Sequence, residues 1–367
     1  MSLAVASIGT AVPDTTLSRA EAESVATALC GSTPRAGWLQ AVYAGAGITT
    51  RHFFLERAIV DDVLARSTRT GSAFLPTRSP DDRGPTTARR MEHYALHAAP
   101  LALKAARQAL ARAGIGPHAI THLVTVSCTG FYAPGVDVAL IKGLGLPATT
   151  QRTHVGFMGC HAALNALRVA RAFADADPRA RILVCAVELC SLHYHYGAEP
   201  QRIVANSLFA DGAAALVGVP ADAAPPGAWR LEASGSCLVP DSESAMTWTI
   251  GDHGFVMTLS RAIPAHIARS LRPWLAAWLG LEGLAVADVA TWAVHPGGPR
   301  IVTAVEEALG LAPEATATSR AILDENGNMS SPTVLFVLER LMSVDAPRPC
   351  VALGFGPGLN VEASLFR

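Results

Sequence analysis

Cys160 is the residue of this sequence best suited to nucleophilic chemistry. It follows Gly156-Phe-Met-Gly and precedes a run in which alanine and leucine recur at helical spacing from Ala163 to Ala170, so it lies at the start of a helix. The helix dipole and the unpaired amides of the first turn favour a thiolate, which predicts a competent nucleophile near neutral pH. A tight packing turn before a helix is the alternative that this segment alone leaves open.

Two polar residues in the second half of the chain could assist such a cysteine. His295 ends the apolar run Ala290-Thr-Trp-Ala-Val294, and the following Pro-Gly-Gly-Pro turns the chain sharply at a strand end. Asn328 lies in a small-residue loop that leads into an apolar helical segment. Histidine pairs with a thiolate, and histidine and amide side chains donate hydrogen bonds to developing negative charge. A histidine bonded to backbone and an asparagine that caps a turn are the alternatives.

A glycine-rich segment lies near the end of the sequence. It follows an apolar run and permits backbone to approach a ligand or a catalytic side chain closely. No helical pattern follows it, so it does not predict a phosphate-binding loop or a dinucleotide site. The candidate residues are Gly354, Phe355, Gly356, Pro357 and Gly358.

These candidates need a scaffold of strands and helices to bring them together. Short apolar runs beside helical patterns predict buried strands, which is typical of an α/β fold. A proline-rich linker separates an N-terminal half, 1–220, that carries the cysteine from a C-terminal half, 229–367, that carries the histidine and the asparagine. The predicted strands cover 3–8, 121–128, 181–187, 212–219, 289–294 and 350–354, the helices 91–112, 263–279 and 333–342, and the linker 221–228.

The composition excludes several classes of function. Of the 367 residues, 29 are lysine or arginine and 30 are acidic, so no overall field attracts nucleic acid or an anionic membrane. Half of the residues are hydrophobic and only 16% are charged, which predicts extensive burial, including burial between subunits. No signal peptide or membrane span is predicted, which indicates a cytoplasmic protein. The seven cysteines form no close-spaced pair, so free thiols and no metal site are expected, and polar residues 66–90 predict a solvated loop.

Five segments, taken in order along nearly the whole chain, resemble the chalcone synthase-like (type III) polyketide synthases. They are Gly156-Phe-Met-Gly-Cys160, Leu208-Phe-Ala-Asp-Gly212, His295-Pro-Gly-Gly298, Gly327-Asn-Met-Ser-Ser331 and Gly354-Phe-Gly-Pro-Gly358. The resemblance implies a thiolase-like fold, in which a duplicated αβαβα sandwich forms a homodimer. It also implies acyl-CoA and malonyl-CoA as substrates, with no tightly bound cofactor.

The resemblance assigns a role to each candidate catalytic residue. Cys160 accepts a starter acyl group from CoA, and His295 holds the cysteine as an ion pair. His295 and Asn328 donate hydrogen bonds to the thioester oxygen while malonyl-CoA loses carbon dioxide, and the enolate attacks the acyl group. Repeated extension and cyclisation follow, giving an alkylpyrone or alkylresorcinol type of product.

The resemblance also places residues around a substrate cavity. Phe209 and Met257 match two gatekeepers between a CoA tunnel and a chain-growth cavity, and methionine there departs from the usual phenylalanine. Ala133 precedes proline in a loop that reaches into the partner subunit in relatives, where the X-Pro bond can be cis. The residues expected to shape or polarise the cavity are Glu188, Cys190, His193 and Ser330.

Substrate identity and CoA contacts stay open at this level. The run Met246-Thr-Trp-Thr-Ile-Gly-Asp252 resembles bacterial members that use fatty acyl starters, so a medium or long starter ranks before an aromatic or malonyl-only one. A single-condensation ketoacyl synthase that uses an acyl carrier protein, and a catalytically silent scaffold, are the competing functions. Arg51 is one of several basic candidates for contact with CoA.

Overall fold

The computed structural model describes residues 2–30, 37–77, 79 and 81–367. Its strands are β1 Leu3–Ala11, β2 Thr15–Ser18, β3 Thr50–Phe53, β4 His122–Ser127, β5 Gln151–Gly156, β6 Ile182–Leu189, β7 Asp211–Pro220, β8 Arg230–Leu238, β9 Met246–Gly251, β10 Gly254–Leu259, β11 Thr291–Val294, β12 Cys350–Gly356 and β13 Asn360–Phe366. Its helices are α1 Arg19–Leu29, α2 Trp38–Gly45, α3 Arg57–Ala65, α4 Thr87–Ala113, α5 Val136–Leu144, α6 Ala162–Ala176, α7 Pro200–Leu208, α8 Ile263–Leu281, α9 Pro299–Leu309, α10 Ala317–Asn326 and α11 Thr333–Ser343.

The main sheet contains the same strand arrangement twice. In the N-terminal half the order is β5-β4-β6-β7-β1, with β4 parallel to both neighbours and β7 antiparallel to both of its own. In the C-terminal half the order is β11-β12-β13-β8, with one parallel pairing followed by two antiparallel ones. Apart from the outermost strand, the two halves therefore repeat one topology, which confirms the duplicated α/β fold.

The two halves stack into five layers because their strands are buried on both faces. In β6, Leu183, Cys185 and Val187 pack towards α4, whereas the alternate residues pack towards α6. The layer that contains α6 and α11 also contacts the inner faces of β11 and β12. The outer faces of β11 and β12 pack with residues of α8 and α9. The layers thus follow the order α, β, α, β, α.

Hydrogen bonds between one strand of each half join the two β layers into one continuous nine-stranded sheet. A short pairing of Leu3 with Leu231 and of Ala4 with Arg230 joins β1 to β8. The segment 221–228 forms the short turn Ala221–Ala223 and leads directly into β8. The division into two domains stays a prediction.

The sequence-based elements lie close to the observed ones, with two differences. The strand predicted for 350–354 extends to Gly356, because these residues pair with β13 and do not form a loop. The solvated loop predicted for 66–90 is wrong at its end: α4 begins at Thr87, and Arg90 is completely buried. Residues 78 and 80 of that segment lie outside the described residues. The helix predicted from residue 91 runs continuously through Pro100.

Candidate active site

Cys160 is held in a sharp turn directly before α6. Gly159 adopts a φ of 76°, a conformation that favours glycine, and a Cβ atom there would collide with the ring of Pro357. Gly356 packs equally closely on the ring of His161, so a Cβ atom there would also collide. The Gly-Cys segment and the Gly-Phe-Gly-Pro-Gly segment therefore need glycine because their backbones pack against each other at the nucleophile.

The environment of Cys160 favours the neutral thiol. The residue is 7% exposed, and burial raises the pKa of its thiol to about 11, although contacts with the Ser330 hydroxyl and the Asn328 amide lower it. The sequence predicts that the helix terminus favours a thiolate near neutral pH, whereas desolvation of the buried sulfur opposes that charge. Deprotonation needs a nearby base.

His295 follows β11 and faces the cavity that Cys160 also lines. Its side chain is buried, and neither ring nitrogen has a hydrogen-bond partner among the described residues. Burial, with a smaller contribution from His161, lowers the pKa of His295 to about 3, so the resting imidazole is neutral. Unpaired buried nitrogens are uncommon, and this pair is free to bond the cysteine or a ligand.

The side chain of Asn328 is oriented by its own loop. Its Oδ1 accepts a hydrogen bond from the Ser330 amide at 2.8 Å, and its Nδ2 donates to the Gly297 carbonyl at 3.2 Å. Ser330 adopts a φ of 59°, an unfavourable conformation for serine that costs about 1–3 kcal/mol. With Oδ1 occupied, the amide of Asn328 presents its NH₂ group towards the thiol. The amide is therefore a hydrogen-bond donor in the cavity.

The three residues can generate a nucleophile and stabilise an oxyanion. Cys160 and His295 line one cavity, so proton transfer between them would place two opposite charges in the same buried site. The attraction between those charges would offset the desolvation penalty that each would bear alone, and the pair would then titrate as a unit. When the thiol has been acylated, the ring N–H of His295 and the amide of Asn328 remain as donors for a neighbouring oxyanion.

Two cavities meet at Cys160, and Phe209 and Met257 line both of them. The outer tunnel has a volume of about 320 Å³ open to water-sized groups. The inner cavity has only about 30 Å³ of such space, room for about two water molecules. The structure thus places Phe209 and Met257 at the boundary between a roomy entrance and a nearly filled interior. His295, Asn328 and Phe355 line the outer tunnel, and Cys190, His193, Ser330 and Pro357 line the inner cavity.

An aromatic cluster fills most of the inner cavity. The ring of His193 stacks on Phe255 with centroids 4.1 Å apart, and Trp248 meets both rings edge to face. The indole nitrogen of Trp248 donates to the Cys128 carbonyl at 2.8 Å. Trp248 lies directly opposite Met257 in the β9–β10 hairpin. The strand pairing therefore fixes a bulky residue beside the gate.

His193 lines this inner cavity. Its Nε2 bonds the Thr129 carbonyl at 2.7 Å, and its Nδ1 accepts from the Phe255 amide at 2.9 Å. Both nitrogens are thus engaged, and burial lowers the pKa of His193 to about 3. Of the two roles predicted for His193, shaping the cavity fits this arrangement, because the residue lines the cavity with both ring nitrogens engaged.

Glu188 lies behind the cavity wall. It is completely buried, and burial raises its pKa. Its carboxylate accepts hydrogen bonds from the Cys128 amide at 2.9 Å, the Thr129 hydroxyl at 2.7 Å and the Ser331 hydroxyl at 2.5 Å. Glu188 therefore ties the end of β4 to the Asn328 loop and does not face the substrate.

Two other candidate residues lie away from the tunnel. The Ala133–Pro134 bond is cis, as expected, and Ala133 lines a separate pocket beside β4 and α5. Arg51 cannot contact CoA, because its guanidinium is completely buried and bonds backbone carbonyls. Gly354 packs on His161 beside the turn at Cys160, and Gly358 follows Pro357; neither glycine lines the two cavities described above.

Several lining residues were missed by sequence reasoning. Trp248 could have been found, because a hairpin register that contains Met257 places Trp248 opposite it. The exposed side chains of Arg261 and Arg300 line the outer tunnel, and neither forms an ion pair within the described part of the chain. No sequence pattern marks them, because they lie 39 positions apart along the chain.

The described segments bring together no group of three histidine, cysteine or acidic residues that could hold a metal ion. None of the helices formed by those segments is long and apolar enough to cross a bilayer. All seven cysteines are free thiols.

Comparison with known proteins gives consistent matches along the chain. Residues 3–223 match the family model for the N-terminal domain of chalcone and stilbene synthases, and residues 230–367 match the model for the C-terminal domain. The alpha-pyrone synthesis polyketide synthase-like Pks18 of Mycobacterium tuberculosis is 38% identical over 77% of this chain and 74% of its own length. Bisdemethoxycurcumin synthase of Oryza sativa is 35% identical over 72% and 70%.

Solved structures show the same likeness. The crystal structure of PKS-I from the brown alga Ectocarpus siliculosus superposes with a TM-score of 0.89 at 32% identity, covering 100% of this chain and 98% of that one. The C-terminal type III polyketide synthase domain of Steely1 from Dictyostelium gives a TM-score of 0.87 at 27% identity, covering 100% and 99%.

Proposed function

This chain belongs to the chalcone and stilbene synthase family and is a type III polyketide synthase, and from that premise we propose that Cys160, His295 and Asn328 carry its condensation chemistry. The observation that carries the proposal is the convergence of the three side chains on one cavity, with both nitrogens of His295 left unpaired there. Each has the chemical capacity that one step of a decarboxylative condensation requires.

The acylation step begins with proton transfer from Cys160 to His295. The thiolate attacks the carbonyl carbon of an acyl-CoA, a new carbon–sulfur bond forms, and the bond to the CoA sulfur breaks. His295 returns its proton to the departing CoA thiolate. The acyl group then remains on Cys160 as a thioester.

The condensation step uses the same donors. Malonyl-CoA loses carbon dioxide, and the electrons of the broken carbon–carbon bond form an enolate whose oxygen accepts hydrogen bonds from His295 and Asn328. The enolate carbon attacks the acyl group, and the bond to Cys160 breaks to regenerate the thiolate. The extended chain is then carried by CoA and can be loaded again.

We propose a pyrone as the product, with a short alkyl substituent. The relative Pks18, by its name, works in alpha-pyrone synthesis. The inner cavity, with about 30 Å³ of free space, leaves less room for a long acyl chain than for a short one. It therefore favours a short starter over the medium or long starter suggested by the resemblance of residues 246–252.

Arg261 and Arg300 are the proposed contacts for the phosphates of CoA. Both arginines are exposed beside the outer tunnel. The part of α2 that lines the tunnel offers no positive charge to a phosphate, because it contributes the uncharged Ala41, Val42 and Gly45. Replacing either arginine by alanine should raise KM for acyl-CoA about fivefold, the equivalent of about 1 kcal/mol. An N-acetylcysteamine thioester lacks the nucleotide and is the matched control, because its KM should not change.

A second copy of this chain is the proposed partner. Strand β5 ends the sheet and leaves one edge unpaired within the described residues, and Phe131 and Met158 nearby are 38% and 40% exposed. A long unpaired edge beside exposed apolar groups commonly pairs with another chain. Sedimentation equilibrium should give twice the chain mass, and a monomer would contradict the proposal. Cytoplasmic location stays a prediction.

The function is tested by mass spectrometry of products from malonyl-CoA and a panel of short, long and aromatic acyl-CoAs. We expect pyrones that contain two or more malonyl-derived units, formed by the wild type and not by Cys160→Ala. Products of a single condensation only, or turnover that requires an acyl carrier protein, would favour a ketoacyl synthase. The absence of any condensation would favour a scaffold.

A further inference from the structure

Arg51 is a buried cation without a carboxylate partner among the described residues. It lies in β3 with no exposed surface. Its guanidinium donates to the carbonyls of Ser207 at 2.8 Å, Asn206 at 3.1 Å and Phe209 at 3.4 Å. Burying an uncompensated charge is costly. This charge is instead compensated by the partial negative charge of carbonyls at the C-terminal end of α7.

The peptide that Arg51 holds is paired directly with the catalytic asparagine. The main-chain N–H of Asn328 donates to the Leu208 carbonyl, and the main-chain N–H of Ala210 donates to the main-chain carbonyl of Asn328, both at 2.9 Å. Phe209 and Asn328 thereby form an isolated β-bridge. The Tyr194 hydroxyl, which contacts Arg51 at 3.3 Å, also donates to the Phe209 carbonyl at 2.7 Å. A displacement of the end of α7 would therefore move the gate and the amide donor together.

We propose that Arg51 is a positioning residue for condensation, because it fixes Phe209 and Asn328 as one rigid unit. It touches no substrate, since its side chain has no exposed surface. The three carbonyls point at it from different positions, and the planar fork of a guanidinium can bond all three. The compact ammonium of a lysine cannot. The inference rests on the proposed function, in which Asn328 stabilises the enolate.

The test separates the step that needs Asn328 from the step that does not. In the proposed function, alkylation of Cys160 by iodoacetamide depends chiefly on the cysteine and His295, with a minor contribution from the Asn328 amide, whereas decarboxylation of malonyl-CoA to acetyl-CoA depends on His295 and Asn328. For Arg51→Lys we expect kcat of decarboxylation to fall about 10- to 100-fold, the range expected for a misplaced donor. The KM for malonyl-CoA and the alkylation rate of Cys160 should stay within about twofold of wild type.

Arg90→Lys is the matched control. Arg90 is equally buried, and its guanidinium also donates to carbonyls, those of Pro85, Leu192 and Tyr194. Its bond to Tyr194 is to the main chain and not to the hydroxyl that Arg51 contacts, and it forms no hydrogen bond with α7 or Asn328. We expect a similar loss of thermal stability in both variants, with near-normal decarboxylation in Arg90→Lys. If Arg51→Lys does not fold, Tyr194→Phe removes the two hydrogen bonds of the Tyr194 hydroxyl, one from Arg51 and one to the Phe209 carbonyl, and should give a smaller loss in the same direction.

The possible outcomes distinguish this inference from the function on which it rests. A normal decarboxylation rate in Arg51→Lys overturns the inference alone. Equal losses in both arginine variants, or an equal loss of alkylation and decarboxylation, also overturn it, because general destabilisation then explains the effect. A wild-type enzyme that does not decarboxylate malonyl-CoA overturns the proposed function and this inference with it.

Discussion

Replacing His295 by glutamine should remove the base that activates Cys160 while retaining a polar side chain. The isolated thiol has a pKa of about 11 because it is buried, so about one molecule in 10³ carries a thiolate at pH 8. In the proposed mechanism, transfer of the proton to His295 supplies the thiolate as half of an ion pair in the wild type. We therefore expect alkylation of Cys160 at pH 8 to be about 10²- to 10³-fold slower in the variant.

The assay is the rate of iodoacetamide labelling as a function of pH, with the modified cysteine identified by peptide mapping. The wild-type rate should be nearly constant from about pH 6 to 9, as expected of an ion pair. The His295→Gln rate should rise about tenfold per pH unit, as expected of a lone thiol. His122→Gln removes another buried histidine, far from the cavity, and should keep the plateau. The same plateau in His295→Gln would refute the reasoning and return the activation of Cys160 to the helix terminus.

Three further substitutions test the cavity, a buried acid and the network behind the wall. Trp248→Ala should enlarge the inner cavity and shift the preferred starter, or the product, to a longer chain, measured by product mass spectrometry; unchanged products would show that Trp248 does not limit chain length. Burial raises the pKa of Asp211 to about 7, so its contribution to stability is complete below its ordinary value of 3.8 and is lost as the pH rises to about 7. Because of this group, the unfolding free energy of the wild type should fall by roughly 4 kcal/mol over that range, and this fall should be absent in Asp211→Asn. Denaturant titration at several pH values measures it, and an unchanged pH dependence in the variant would contradict the prediction. Glu188→Gln turns one acceptor oxygen into a donor against the Cys128 amide or the Ser331 hydroxyl, so calorimetry should show a loss of about 1–3 kcal/mol, whereas unchanged stability would show that the network adapts.

The three residues proposed as catalytic could be singled out from sequence because their signals are local. Each of Cys160, His295 and Asn328 lies in a short segment whose glycines and prolines dictate a turn after a strand or before a helix. Strand identity was equally local, since runs buried on both faces are continuously apolar. These features can be predicted without knowing which elements are in contact in the fold.

The remaining features depend on contacts between distant parts of the chain. In the sequence, Arg51 resembles any surface arginine. It is buried because the end of α7 packs on it, and the residue it bonds there, Asn206, lies 155 positions further along the chain. The pKa of Cys160 depends on how completely the site excludes water, which no motif encodes. The proposal of a short starter rests on the small inner cavity, where Trp248 packs against His193 and Phe255. Burial and contacts between distant segments therefore determine the features that the sequence did not predict.

The most direct test of the central claim is to trap the acyl group on Cys160. A short acyl-CoA is incubated with the protein in the absence of malonyl-CoA, and the intact mass and the modified peptide are determined by mass spectrometry. We expect the mass to rise by one acyl group, located on Cys160, and the group to leave in a longer product when malonyl-CoA is added. An acyl group on another residue, or an acylated Cys160 that malonyl-CoA does not discharge, would contradict the claim.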